Sequence, residues 1–327
     1  MDNIKMWRNC GVIPKIQVLL STYNGEQFLN EQLESLLAQQ NVDLNILIRD
    51  DGSIDSTVSI IETFIRKYPQ MVKLYIGENK GAKASFFDLL EKAAEHSNDF
   101  DFVAFCDQDD VWLREKLVSA VKILENDKNN NSMPMMYCSA TQMVQSDLRN
   151  LAVWPKPPCQ PISIYNAVVE NIAVGCTTVL NRDAVRLLAA NMPTHITDVI
   201  MHDWWAYICV SSSGKVVFDE NPHILYRQHT NNALGGGTDN WLMKWINRFK
   251  RFSNGKNHYI ISNQARVFLE TFQSKLPSEQ INIIRQLADV PQKKVFERLL
   301  FALRQPFYRQ SSMDNLVLKI LIFLGKV

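Results

Sequence analysis

The chain has 327 residues, of which 46% are hydrophobic and 21% charged, proportions that exclude an intrinsically disordered protein and permit one large domain with a smaller appendage. The formal net charge of +1 conceals a division. Residues 1–240 carry 20 basic against 29 acidic side chains, and residues 241–327 carry 15 against 5, about −9 and +10; this points to a cation site in the first part and an anionic surface facing the second.

From Lys15 to about Glu125, apolar runs of strand length alternate with amphipathic segments of helix length. Strands are predicted at Ile16–Ser21, Leu44–Arg49, Val72–Ile76 and Phe102–Cys106, and helices at Gly25–Gln40, Ser56–Lys67, Ala84–His96 and Arg114–Glu125. In the first helix Phe28, Leu33, Leu36 and Leu37 recur at helical spacing. This βαβα order predicts an α/β fold with a mostly parallel sheet and helices on both faces. Asn126–Ser132 is polar and reads as a surface loop. Met135–Thr141, Ala173–Leu180, Val216–Phe218 and Ile224–Arg227 read as strands, whereas Trp154–Pro161, with four prolines, reads as an extended connection. Gly235-Gly236-Gly237 reads as a hinge, and the pattern beyond it is helical to the end. The expected division is a domain at 1–235 and a helical, basic region at 236–327.

The six cysteines, Cys10, Cys106, Cys138, Cys159, Cys176 and Cys209, form no Cys-x-x-Cys pair. Most lie in apolar runs, as free thiols do in a reducing compartment. Met1 to Pro14 lacks the apolar core of a signal peptide, and no stretch reaches 18 apolar residues. The expectation is a cytoplasmic protein without a membrane span.

In an open parallel sheet, ligands bind beyond the carboxyl ends of the strands. The first strand ends in Ser21-Thr22-Tyr23-Asn24, the second in Arg49-Asp50-Asp51-Gly52-Ser53 and the fourth in Cys106-Asp107-Gln108-Asp109-Asp110. Turn chemistry and helix capping account for Asp55-Ser56, and for one aspartate of Asp107-x-Asp109-Asp110, but not for three. Crowded carboxylates repel unless a cation or strong donors neutralise them. Hard oxygen ligands of this kind suit Mg²⁺ or Mn²⁺, which also hold a diphosphate. There is no Gly-x-Gly-x-x-Gly after the first strand and no Gly-x-x-x-x-Gly-Lys-Ser/Thr loop, which counts against dinucleotide oxidoreductases and P-loop NTPases. A metal held by carboxylates is the substitute for a backbone phosphate cradle, and the reading is a nucleotide-sugar enzyme.

Four early motifs, Leu20-Ser21-Thr22-Tyr23-Asn24-Gly25, Arg49 to Thr57, Asn79-Lys80-Gly81 and Cys106-Asp107-Gln108-Asp109-Asp110-Val111-Trp112, resemble in order those of family 2 glycosyltransferases with the GT-A fold. Gly175-Cys176-Thr177-Thr178, Met201-His202-Asp203-Trp204-Trp205 and Leu225-Tyr226-Arg227-Gln228-His229 follow, and the whole set is similar to the bacterial rhamnosyltransferase branch that builds rhamnan and O-antigen chains. The resemblance spans roughly Lys15 to Asn232. It implies that Thr22, Asn24, Asp50 and Asp51 line a nucleoside pocket, with a carboxylate of the aspartate pair accepting from the base N–H. It also implies that Asp107 lies near ribose and diphosphate and that Asp109 is the main metal carboxylate, with the adjacent Asp110 as the alternative. Asp203 takes the place of the general base, His229 approaches the metal or diphosphate, and Arg227 neutralises phosphate charge. Apart from the resemblance, Asp203 reads equally as a helix cap, His202 as a structural histidine, Lys80 and Lys83 as solvated cations, and Trp204 and Trp205 as core.

The implied reaction is inverting transfer of L-rhamnose from dTDP-β-L-rhamnose to a lipid-linked polysaccharide acceptor. One carboxylate takes the acceptor proton and a cation stabilises the leaving diphosphate. The rivals are transfer of galactose or glucose from a UDP donor, a phosphohydrolase using Asp107 or Asp109 as nucleophile, and an inactive membrane scaffold. In the tail, Trp241, Trp245, Phe249 and Phe252 share one helical face, with Lys244, Arg248 and Arg251 largely elsewhere. Aromatics opposite cations fit an interfacial helix on anionic lipid. Leu316–Leu324 is too short to cross a bilayer. The expected site is therefore the inner face of the cytoplasmic membrane, and no motif supports a nucleic-acid partner.

Overall fold

The computed structural model describes residues 13–126, 133–228 and 258–327; His229 and the Trp241–Phe252 segment lie outside them. The chain divides into two units. The first comprises Met1–Lys156, Ala173–Ala190 and Gly214–Arg227, and the second Pro157–Ile172, Asn191–Ser213 and Gln228–Val327.

In the first unit, strands β1 (Lys15–Thr22), β2 (Asp43–Asp50), β3 (Val72–Ile76) and β4 (Phe102–Cys106) alternate with helices α1 (Leu29–Leu37), α2 (Thr57–Lys67) and α3 (Ala82–Glu95). Then come β5 (Val111–Trp112), α4 (Lys116–Glu125), β6 (Met135–Ser139), β7 (Thr141–Val144) and β8 (Asn150–Trp154). Apart from α5 (Ile164–Ala167), which belongs to the second unit, the series closes with β9 (Val179–Asn181), α6 (Arg182–Ala189), β10 (Lys215–Asp219) and β11 (Ile224–Arg227). Seven strands form one sheet in the order β10-β6-β9-β4-β1-β2-β3. Every pairing in it is parallel except those of β9, which runs antiparallel to β4 and β6. The central strands are near-continuous apolar runs because helices cover both faces, and Ile16, Val18, Leu20, Ile46, Ile48 and Ala104 sit in the core cluster. A second sheet, β5-β11-β7-β8, stands at the carboxyl end of β4.

Two predicted strands differ from the structure. Met135–Thr141 splits at Ala140, whose N–H donates to Asp219 O (2.9 Å), so β6 stays in the large sheet while β7 joins the small one and gains β8 as an antiparallel partner. In Ala173–Leu180 the residues Gly175–Thr177 form a 3₁₀ turn and only Val179–Asn181 is strand. The hydroxyl and N–H of Thr177 both donate to Val174 O (2.7 and 2.8 Å), and that local bonding defeats the β-propensity of the apolar run.

In the second unit, α5 (Ile164–Ala167) and α7 (His202–Ser213) are joined by the Tyr207 hydroxyl donating to Asn166 Oδ1 (2.7 Å). Trp205 of α7 meets Phe268 of α8 (Ile260–Phe272) edge-on at 6.1 Å. Helices α9 (Ser278–Ala288), α10 (Val295–Arg304) and α11 (Ser312–Leu324) complete the helical C-terminal part that the sequence predicts. Among the described residues no helix is long and apolar enough to cross a membrane.

Candidate active site

The register of the sheet brings the early motifs to one edge. Thr22 ends β1 beside Asp50 at the end of β2, and Leu20 pairs with Cys106 at the end of β4. The chain segments that follow, 23–25, 51–53 and 107–110, therefore emerge together.

Asp50 is buried and organises the first two. Its Oδ2 accepts from the hydroxyls of Thr22 (2.8 Å) and Ser53 (2.6 Å), and its Oδ1 from the N–H groups of Gly52 (3.1 Å) and Ser53 (2.8 Å). Asp51 is also buried. It pairs with Arg49 and accepts from the backbone N–H of Lys80 (3.0 Å) and Gly81 (2.7 Å), so it holds the Asn79-Lys80-Gly81 loop. Arg49 donates on to Asp88 (3.1 Å), and the Lys80 ammonium reaches the same carboxylate at 2.9 Å. Both members of the aspartate pair are thus engaged within their own loops. Asn24 takes a left-handed φ of 46°, which asparagine tolerates better than most residues. Its Oδ1 accepts from Ile54 N–H (3.0 Å) and its N–H donates to Ser53 (2.9 Å).

The acidic turn after β4 is tied to the same edge by Gln108. Its Oε1 accepts from Tyr23 N–H (2.8 Å) and its Nε2 donates to Tyr23 O (3.0 Å). Asp107 and Asp109 are half-buried, whereas Asp110 is fully buried. Asp110 Oδ1 accepts from Arg227 N–H (3.1 Å), and the Cys176 sulfur lies beside the carboxylate. Asp110 Oδ2 is buried with no hydrogen-bond partner among the described residues. Burial pushes the Asp110 carboxyl well above the usual range, and the charges of Asp109 and Asp107 add to the effect. One ligand atom from each of Asp107, Asp110 and Cys176 can be chosen so that all three lie within 4.8 Å of one another. A buried, unpartnered carboxylate oxygen beside two further acids fits a cation.

Arg227, expected at a phosphate, is buried and serves this turn. Its Nε donates to Asp109 O (2.8 Å), its guanidinium bonds Ser146 O and the Glu31 carboxylate, and it stacks over Phe28 at 4.4 Å. Beneath the acids lies Lys116, fully buried, with its ammonium 3.5 Å from the centre of the Trp112 ring. Burial lowers its pKa to about 8. Gln108, Lys116, Glu31 and Cys176 received no role from sequence reasoning. Cys176 lies inside a quoted motif; nothing along the chain brings Gln108 to Tyr23.

In the second unit Asp203 occupies the first turn of α7 and is largely buried. Its Oδ1 accepts from Trp204 N–H (2.7 Å) and its Oδ2 from the Asn171 amide (3.1 Å). Trp204 donates its indole N–H to Ala167 O (2.6 Å), and Trp205 is core. Burial depresses the neighbouring His202 to a pKa of about 3, so its imidazole is neutral.

Acidic strand ends gathered at one edge of a mostly parallel sheet, with helices on both faces, fit the GT-A fold class. The chain belongs to glycosyl transferase family 2, whose family model matches residues 17–188. It is 31% identical over 225 residues to the dTDP-rhamnosyl transferase RfbG of Shigella flexneri, covering 66% of this chain and 73% of that one. It is 26% identical over 168 residues to the putative teichuronic acid biosynthesis glycosyltransferase TuaG of Bacillus subtilis, covering 51% and 62%. The fold is similar to that of S. aureus TarS 1–349 in complex with UDP, with a TM-score of 0.56 at 15% identity over 95% of this chain and 80% of that one. It is also similar to the mannosyltransferase PcManGT from Pyrobaculum calidifontis in complex with GDP-Man and Mn²⁺, with a TM-score of 0.50 at 15% identity over 94% and 79%. At that identity the likeness is one of fold.

Proposed function

We propose that this glycosyltransferase moves L-rhamnose from dTDP-β-L-rhamnose, with inversion, onto a hydroxyl of a lipid-linked cell-surface polysaccharide. The observation that carries a metal-dependent transfer is the orphaned Asp110 Oδ2 within the acidic turn; the similarity to RfbG supports the rhamnosyl donor. Asp109 and Asp110, with Asp107 beside them, would hold Mg²⁺ or Mn²⁺, and His229 joins them by resemblance. When bound, the cation supplies charge neutralisation at the leaving diphosphate. Thr22, Asn24, Asp50 and Asp51 shape the nucleoside pocket, the two aspartates by fixing its loops. Arg227 acts by bracing the acidic turn. Asp203 is the base: its carboxylate takes the acceptor hydroxyl proton as that oxygen attacks the anomeric carbon, and the Asn171 amide and the Trp204 N–H hold it in place. Residues 1–235 form the catalytic part and 236–327 the part that contacts the cytoplasmic membrane surface.

A donor screen with Mn²⁺ and Mg²⁺, read as nucleotide diphosphate release, tests this reading. Turnover of dTDP-rhamnose is expected, and Asp203→Asn should lower it by about 10²–10⁴-fold with nucleotide binding retained. Strong turnover of UDP-hexoses alone, or phosphate release from simple phosphoesters, would overturn it.

A further inference from the structure

Beside the acidic turn stands a group that hard-cation chemistry does not require. Cys176 is fully buried. The 3₁₀ turn Gly175–Thr177, locked by Thr177 on Val174 O, sets its sulfur beside Asp107 and Asp110. The Thr177 hydroxyl in turn accepts from Ser139 N–H (3.2 Å), which fixes the turn against β6. The thiol therefore has little freedom to move away from the acids. Its sulfur, one Asp107 oxygen and one Asp110 oxygen form a triad with all separations within 4.8 Å, and Asp110 Oδ2 has no hydrogen-bond partner among the described residues.

Mg²⁺ and Mn²⁺ take oxygen ligands and leave a thiol protonated, whereas Zn²⁺ and Cd²⁺ take thiolate readily. With a hard cation, Cys176 stays S–H and is not a ligand. We propose that Cys176 makes this a mixed carboxylate–thiol pocket, in which Zn²⁺ or Cd²⁺ binds directly to sulfur and displaces the working cation. The step is an exchange without redox change: the S–H bond breaks, its proton passes to the buffer, and a sulfur–metal bond forms alongside the bonds to Asp107 and Asp110. The inference rests on the cation reading of the acidic turn and adds a thiophilic, inhibitory occupant to it.

The test uses the full chain and the metals alone. Mn²⁺ binding is followed by the loss of its free electron-paramagnetic-resonance signal. Cd²⁺ is then added, and the ultraviolet sulfur-to-cadmium charge-transfer band is recorded together with the release of Mn²⁺. The unaltered chain should give the band in step with Mn²⁺ release. Cys176→Ser, with an unchanged circular-dichroism spectrum, should lose that band and bind Cd²⁺ at least about tenfold more weakly, while its Mn²⁺ affinity changes by less than about threefold. If Cys176→Ser does not fold, Cys176→Ala and the displacement titration on the unaltered chain carry the same test. A band that survives both substitutions, or Cd²⁺ that leaves bound Mn²⁺ in place, overturns the inference without touching the donor reading. The Mn²⁺ titration checks that reading on its own.

Discussion

Gly25 and Gln108 show how closely the two loops at the sheet edge interlock. A Cβ placed on Gly25 would lie 2.3 Å from Gln108 Oε1, and the amide cannot retreat without giving up both hydrogen bonds to Tyr23. Gly25→Ala should therefore cost about 0.5–1.5 kcal/mol in denaturant unfolding, the net worth of a hydrogen bond that water can partly replace. Combining it with Gln108→Ala should recover part of that loss, because the clash and the displaced amide are one event. Fully additive losses would show that the two side chains do not meet. Asp50 and Asp51 teach a related lesson at this scale. Their sequence places them at a ligand edge, but their oxygens are occupied by Thr22, Ser53, Gly52, Lys80 and Gly81, so they act by holding the loops.

At the scale of elements, the strands Val72–Ile76, Phe102–Cys106 and Ile224–Arg227 coincide with their predicted bounds. Each is a short, mostly apolar segment of strand length. The 173–180 segment failed because a single threonine hydroxyl redirects the backbone there, a preference that hydropathy does not register. Helices α10 and α11 carry the feature least expected of a packed appendage. Phe296, Leu299 and Leu303 on one, and Met313, Leu316, Ile320 and Phe323 on the other, recur at helical spacing and are exposed, Phe296 by 68% and Leu303 by 65%. Lys294 at the N-cap of α10, Arg304 at its end and Lys319 on α11 are exposed. Apolar stripes bordered by cations suit the interface of an anionic bilayer. The chain should co-sediment with vesicles containing phosphatidylglycerol, and Phe296→Ser with Leu303→Ser should weaken that binding about tenfold or more, given the area withdrawn from lipid. Equal sedimentation of the parent and the double variant would remove these helices from the membrane contact.

For the whole molecule, the pH dependence of stability carries an assignable contribution from His202. Its folded pKa of about 3 lies below the ordinary value near 6.5. Between those values the unfolded chain holds a proton that the native chain lacks, so stability increases with pH through that window and is fully present above it. Lowering the pH from 7 to 5 should remove about 2 kcal/mol through this group, and His202→Gln should reduce the drop by about that amount in paired urea titrations. An identical drop in both chains would place the proton elsewhere. The sequence alone determined the α/β class, the alternation of strands and helices, the helical basic tail and the acidic strand ends, because these reside in local periodicity, turn chemistry and charge order. Only the tertiary structure decided which of those acids retain an unspent oxygen, that Arg227 turns inward to Glu31, and that Cys176 and Lys116 stand beside the acidic turn. Such choices depend on burial and, for Arg227 and Cys176, on partners more than 50 residues away, which spacing along a chain does not encode.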